Sequence, residues 1–314
     1  MNTAGRLSAY GVALALVAGG GWAIGNAVGP FAGSAGQPSA EAAGHGDAHS
    51  GTVAGAQQPK EPPGLASSRG GYTLTPATTT FTPGVSTPFA FKIVKSDGSA
   101  VTAFDVEHDK RMHLIVVRRD TADFQHIHPE MAPDGTWTVP LKLAQPGSYR
   151  AFGDFVPTGG EKMTLGVDLA VPGDFRPVTY QPSWVANVDG YEVTLGGQLI
   201  PGQSSRVTLM VRKDGREVTD LQPYLGAYGH LVALRGGDLA YLHVHPDETN
   251  AKPGPSITFF AEVPSAGIYR LFLDFQHEGK VRTAEFTVRT MDAAGPAPAG
   301  GNSDDSHNDD GHGH

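Results

Sequence analysis

The chain has 314 residues, is 39% hydrophobic and 18% charged, and carries a net charge of −9. That length suits about two domains, and an acidic balance without basic runs argues against a nucleic-acid partner. Cysteine is absent, which excludes disulfides, thiolate metal sites, thiol nucleophiles and a blue-copper centre.

At the N-terminus Arg6 precedes an uncharged stretch from Leu7 to Ala40, most apolar between Tyr10 and Phe31. A positive start followed by an apolar core is the pattern of an export signal. The stretch also has the length of a membrane anchor, though Gly19, Gly20, Gly21 and Gly25 dilute it. Residues 1–33 are read as a signal peptide or an anchor. Either places the remainder outside the cytoplasm, secreted or held at the membrane. Residues 34–70, rich in Gly, Ala, Ser and Pro, are expected to form a flexible linker. Residues 291–314 are expected to be a disordered tail. His45 and His49, and His307, His312 and His314 among Asp309 and Asp310, form either weak metal-binding tracts or plain solvated segments.

Between these ends the sequence repeats itself. Asp97-Gly98 matches Asp214-Gly215, His113-Leu114 matches His230-Leu231, and His126, His128 and Pro129 match His243, His245 and Pro246. Tyr149-Arg150 matches Tyr269-Arg270, and Asp154-Phe155 matches Asp274-Phe275. Two copies of one domain follow, over 71–173 and 190–290. Phe89 to Val94 and Val207 to Val211 read as strands ending at Asp-Gly turns, and Thr136 to Leu143 alternates as a half-buried strand does. A turn, a tyrosine and an apolar strand at Pro146–Phe155 and again at Ala266–Phe275 resemble a tyrosine corner. The fold class is all-β: two tandem immunoglobulin-like β-sandwich domains.

Histidine is the chemically informative residue. In the first copy a hairpin turning at Asp120-Thr121 sets Ile115 opposite His126 and His113 opposite His128. Side chains alternate along strands, so His113, His126 and His128 share a face. In the second copy a turn at Gly237-Asp238 sets Leu234 opposite Tyr241 and predicts that His230, His243 and His245 do the same. Three converging neutral imidazoles suit copper, or zinc with an open position. The bland alternative is six strand histidines satisfied by carboxylates or water. Met112 and Met131 lie close in sequence, but Gly229 replaces Met112 in the second copy, and Met112 is read as packing. Asp154 and Asp274 either orient a histidine from behind or cap a loop. His108 and His277, each present in one copy, are read as surface residues.

His113-Leu-Ile-Val-Val, Phe124-Gln-His-Ile-His-Pro-Glu and Pro146-Gly-Ser-Tyr-Arg-Ala-Phe-Gly-Asp-Phe resemble a family of exported, actinobacterial-type proteins described as heavy-metal- or copper-binding. The resemblance covers most of 72–290 and implies an extracytoplasmic protein that captures, stores or delivers copper, without catalysis. The partners expected are the metal ion, a membrane metal transporter or cuproenzyme that exchanges it, and the membrane itself if the N-terminal segment is uncleaved. Leu242-His-Val-His also resembles the His-Val-His strand of copper-zinc superoxide dismutase. The chain lacks that family's bridging histidine, zinc loop, cysteines and late arginine motif, so no catalytic residue is carried over. A structural or adhesive sandwich pair and a dismutase-like copper oxidoreductase are the competing readings.

Overall fold

The structure is a computed structural model that describes residues 62–247, 249 and 251–290. The segments expected to be an N-terminal signal or anchor, a linker up to residue 61 and a tail over 291–314 lie outside the described residues. No helix among the described residues is long and apolar enough to cross a membrane.

The first repeat contributes β1 (Ser68–Arg69), β2 (Tyr72–Pro76), β3 (Ser86–Lys95), β4 (His113–Arg118), β5 (Gln125–Ile127), β6 (Glu130–Met131), β7 (Trp137–Lys142), β8 (Gly147–Phe155) and β9 (Met163–Val171). The second contributes β10 (Val185–Val188), β11 (Tyr191–Gly197), β12 (Ser204–Lys213), β13 (Arg216–Glu217), β14 (His230–Arg235), β15 (Val244–Pro246), β16 (Ser256–Glu262), β17 (Ile268–His277) and β18 (Lys280–Arg289). Each repeat is a sandwich. In the first, β1-β2-β3-β7-β6 faces β5-β4-β8-β9; in the second, β10-β11-β12-β16-β15, with β13 on β12, faces β14-β17-β18. The fold expected from sequence is the fold observed. The boundaries shift, because β1 and β10 start each repeat earlier than the turns at residues 71 and 190 suggest. The expected linker also gives way to ordered chain at its end: the Arg150 guanidinium donates to the Gly64 and Leu65 carbonyls, each at 2.7 Å.

Local patterns explain the layers. Along β7 every second residue is buried, and Phe89, Phe91 and Ile93 of β3 point into the same core. Tyr149 and Tyr269 each donate to a carbonyl four residues back, Gln145 and Ser265, at 2.8 Å. These are the two tyrosine corners.

β4 is different: all six of its residues are buried. A strand covered on both faces reads as a continuous apolar run rather than an alternating one. Leu114 and Val116 enter the first repeat's core, while Ile115 and Val117 enter a second apolar layer shared with Val232, Leu234, Leu239 and Phe272. β14 behaves alike, with Leu231 and Ala233 facing its own core. The two repeats belong to one compact unit, joined where β4-β8 meets β14-β17 face to face. Equivalent residues meet across this seam. Phe124 stacks on Phe272 with ring centres 3.9 Å apart, and the matching pair, Tyr241 and Phe152, sits at 5.7 Å. The seam therefore has approximate twofold character, and the histidines line one end of it.

Candidate metal centre

In the first repeat the ribbon forms in the expected register, with Ile115 opposite His126 and Leu114 opposite Ile127. Ile127 packs toward the core, so His126 and His128 point the other way, into the seam beside His113. The His113 Nδ1 lies 3.1 Å from His126 Nε2 and 3.2 Å from His128 Nε2. One ligand atom from each ring falls within 4.8 Å of the others. An ion bound at ~2.0–2.1 Å by two imidazoles in tetrahedral geometry needs nitrogens roughly 3.3 Å apart, so these rings need to move little to share one.

The outer nitrogens fix which atoms face inward. His113 Nε2 lies 3.0 Å from the Glu107 carbonyl; a carbonyl only accepts, so that nitrogen carries the proton and Nδ1 presents its lone pair. His126 Nδ1 lies 2.7 Å from Asp274 Oδ2, both side chains being 5% exposed. An ionised carboxylate only accepts as well, so in the neutral ring the His126 proton sits on Nδ1 and Nε2 faces inward with its lone pair. With both rings neutral, two lone pairs oppose each other at 3.1 Å, an arrangement that a shared cation, a metal ion or a proton, relieves. Asp274 is itself held by Thr283, whose hydroxyl donates to Oδ1 at 2.6 Å. A carboxylate bound to the outer nitrogen of a ligating histidine is the usual support of a metal site.

Burial first, and the neighbouring imidazoles second, push His128 down to about 3. His113 falls to about 3 for the same leading reason, although its bond to the Glu107 carbonyl opposes the shift. Both are neutral at physiological pH, the form that binds metal.

The second repeat does not build the expected trio. Its ribbon begins as predicted: Leu234 faces Tyr241, and the Leu242 amide donates to the Ala233 carbonyl at 2.9 Å. The chain then leaves that sheet, and β15 pairs with β16 on the opposite one, His245 lying beside Phe260. Leu242 is buried in the second repeat's core, with Val244 packed against it, where the first repeat has Gln125. With that apolar anchor the strand crosses earlier, at Val244, equivalent to Ile127, whereas the first repeat crosses at Glu130, and His243 and His245 end up exposed. His230 stays in the seam, its Nε2–H donating to the Tyr224 carbonyl at 2.7 Å. Burial lowers it to about 4, again against the carbonyl bond.

Other expectations are corrected too. His108 is half-buried, its ring 5.1 Å from His230 and 6.3 Å from His113. His277 is buried between Tyr191 Oη, at 2.7 Å, and Asp220 Oδ1, at 3.0 Å. Met112 is buried in the first core, as read, and Met131 packs against that core. Asp274 does support a histidine, but one from the other repeat; Asp154 instead accepts from Thr164 at 2.8 Å and faces Lys162 at 3.6 Å. The double-faced apolar runs of β4 and β14 were the signal that something packs on their outer side.

No curated protein matches the chain. Solved structures that resemble it include the FdeC adhesin of Escherichia coli, at 11% identity over 70% of this chain and 64% of that one, with a TM-score of 0.23. An alpha-2-macroglobulin of Salmonella resembles it at 12% identity over 74% and 15%, also with a TM-score of 0.23. The D00-D0 domain of intimin does so at 9% over 70% and 100%, TM-score 0.23. The chain thus spans less than two thirds of the first two, and overlaps this loose carry no functional argument. Both repeats match the profile described as "Domain of unknown function (DUF8832)", over 67–173 and 186–292, and as these matches together span more than half of the chain, it belongs to that family.

Proposed function

We propose that the protein binds one transition-metal ion per chain, copper in preference to zinc, at His113, His126 and His128, and that it captures, stores or delivers this ion outside the cytoplasm. The observation that carries the reading is the inward convergence of His113 Nδ1 and His126 Nε2 at 3.1 Å, each with its outer nitrogen anchored. An all-imidazole set without thiolate suits copper and zinc, and a three-nitrogen set leaves room for an exchanging ligand. The resemblance to exported heavy-metal-binding proteins supports copper, and the positive and then apolar N-terminal stretch supports export. The role is binding rather than catalysis.

The test is equilibrium dialysis of the full chain against copper(II), copper(I) and zinc, followed by metal analysis. One ion per chain is expected, lost in His113→Ala and His126→Ala and kept in His243→Ala. No stoichiometric metal, or equal uptake by His126→Ala, defeats the reading and leaves a structural sandwich pair with packed histidines.

A further inference from the structure

The second repeat retains half of the metal-site device without its partners. His113 and His230 are each fixed by a carbonyl six residues earlier, Glu107 and Tyr224 respectively. In both, the protonated Nε2 points to that carbonyl, so Nδ1 presents a lone pair. His113 meets His126 and His128. His230 instead meets His108 of the other repeat, ring to ring at 5.1 Å, and lies 6.4 Å from His126.

His108 has a second notable position. It lines the narrow cleft that holds His113, His126 and His230, and it also lines an open cavity of about 380 Å³ with Tyr228, Gly229, Lys252 and Thr258. His108, Gly229 and Pro246 are common to both spaces. An ion in the cavity therefore meets His108 at the shared wall, with His230 at 5.1 Å and His113 at 6.3 Å beyond it, and His230 in turn lies 6.4 Å from His126. Successive ring separations of 5.1 and 6.4 Å are short enough for one imidazole to begin binding before the previous one lets go. The backbone at His108 is also unusual, with φ of 47°, a left-handed conformation uncommon outside glycine.

We propose that His108 and His230 form a labile two-imidazole exchange station through which copper passes between the open cavity and the His113/His126/His128 site. At each step one copper–nitrogen bond forms as another breaks, and the oxidation state does not change. The ion is thereby handed along without release as a free aqua ion. This inference rests on the trio's being a copper site, and the experiment separates the two.

The full chain is loaded anaerobically with one equivalent of copper(I), and transfer to excess bathocuproine disulfonate is followed optically. The equilibrium affinity is measured by competition with the same chelator. His108→Ala and His230→Asn are expected to slow transfer by roughly tenfold, the equivalent of about 1.4 kcal/mol on the barrier, while the affinity stays near that of the wild type. Circular dichroism confirms that each variant is folded, and His108→Ala, at a half-buried position, does not depend on the tolerance of buried His230 to substitution. Unchanged transfer rates in both variants overturn the station. So does a fall in affinity accompanied by faster transfer in His230→Asn, because His230 would then be a fourth ligand of the trio's ion. A wild-type chain that holds no copper defeats the trio first, whereas one that holds copper tightly and releases it at the same rate as His108→Ala defeats only the station.

Discussion

The two histidine ribbons differ less in sequence than in what they do. Both run from a strand starting with histidine, through an arginine-bearing turn, to a His-x-His-Pro segment. The first keeps His126 on the sheet that faces the seam, where Asp274 holds it. The second crosses to the opposite sheet after Leu242, and its His-x-His pair faces solvent. A shared motif therefore sets the potential for a site, and the sheet that the strand joins, the seam sheet beyond Gln125 or β16 beyond Leu242, separates the two copies.

The sharpest way to break this comparison is to remove the seam on which both ribbons rest. Phe272→Ala deletes a fully buried ring that stacks on Phe124, and a loss of about 3–5 kcal/mol is expected in chemical denaturation. A loss under 1 kcal/mol would mean the seam carries little of the stability.

Next comes the asymmetry of the carboxylates. Asp274→Asn should weaken copper binding by about 10- to 100-fold, because a neutral amide orients His126 poorly. Asp154→Asn, at the matching place, should leave affinity unchanged, since Asp154 is occupied by Thr164 and Lys162. Equal effects from the two would erase the distinction drawn between the repeats.

Acid tests the same end of the seam in the metal-free protein. His113 and His128 titrate at about 3 and His230 at about 4 in the folded chain, against an ordinary 6.5. Below 6.5 the unfolded chain takes up protons that the folded chain refuses. Their contribution is thus complete above pH 6.5 and is lost as pH falls from there toward 3. Thermal melts across that window should show Tm falling with acidification. The slope should flatten when His113, His128 and His230 are replaced together, provided that the variant still folds.

The smallest effect belongs to the exposed pair. His243→Ala with His245→Ala should change stability by less than about 0.5 kcal/mol, as surface changes usually do, and should leave copper stoichiometry at one. A second ion lost in this double variant would restore the symmetry that the geometry denies.

Much of this was legible in the sequence. The internal repeat, the sandwich class, both tyrosine corners and the first ribbon's register all follow from local rules, because turn residues and side-chain alternation act over a few positions. The second ribbon was legible only to Leu234 opposite Tyr241. Beyond that point, Leu242 and Val244 alternate with histidine in either sheet, and the choice is made by the neighbouring β16, which no local pattern encodes. Asp274 as a partner of His126 was illegible for a related reason: the contact spans 148 residues and depends on how two complete domains meet.

The near-twofold seam has a consequence for how such a molecule comes to hold a single histidine trio among its described residues. If the two halves were separate identical subunits, every cross-boundary contact would occur in duplicate. Phe124 on Phe272 still has its counterpart in Tyr241 near Phe152. His126 on Asp274 has none, because Asp154 is engaged elsewhere and His243 faces outward. Covalent fusion frees the halves from that obligation: one can supply the histidine trio while the other supplies the carboxylate that holds it, a division of labour closed to a symmetric homodimer.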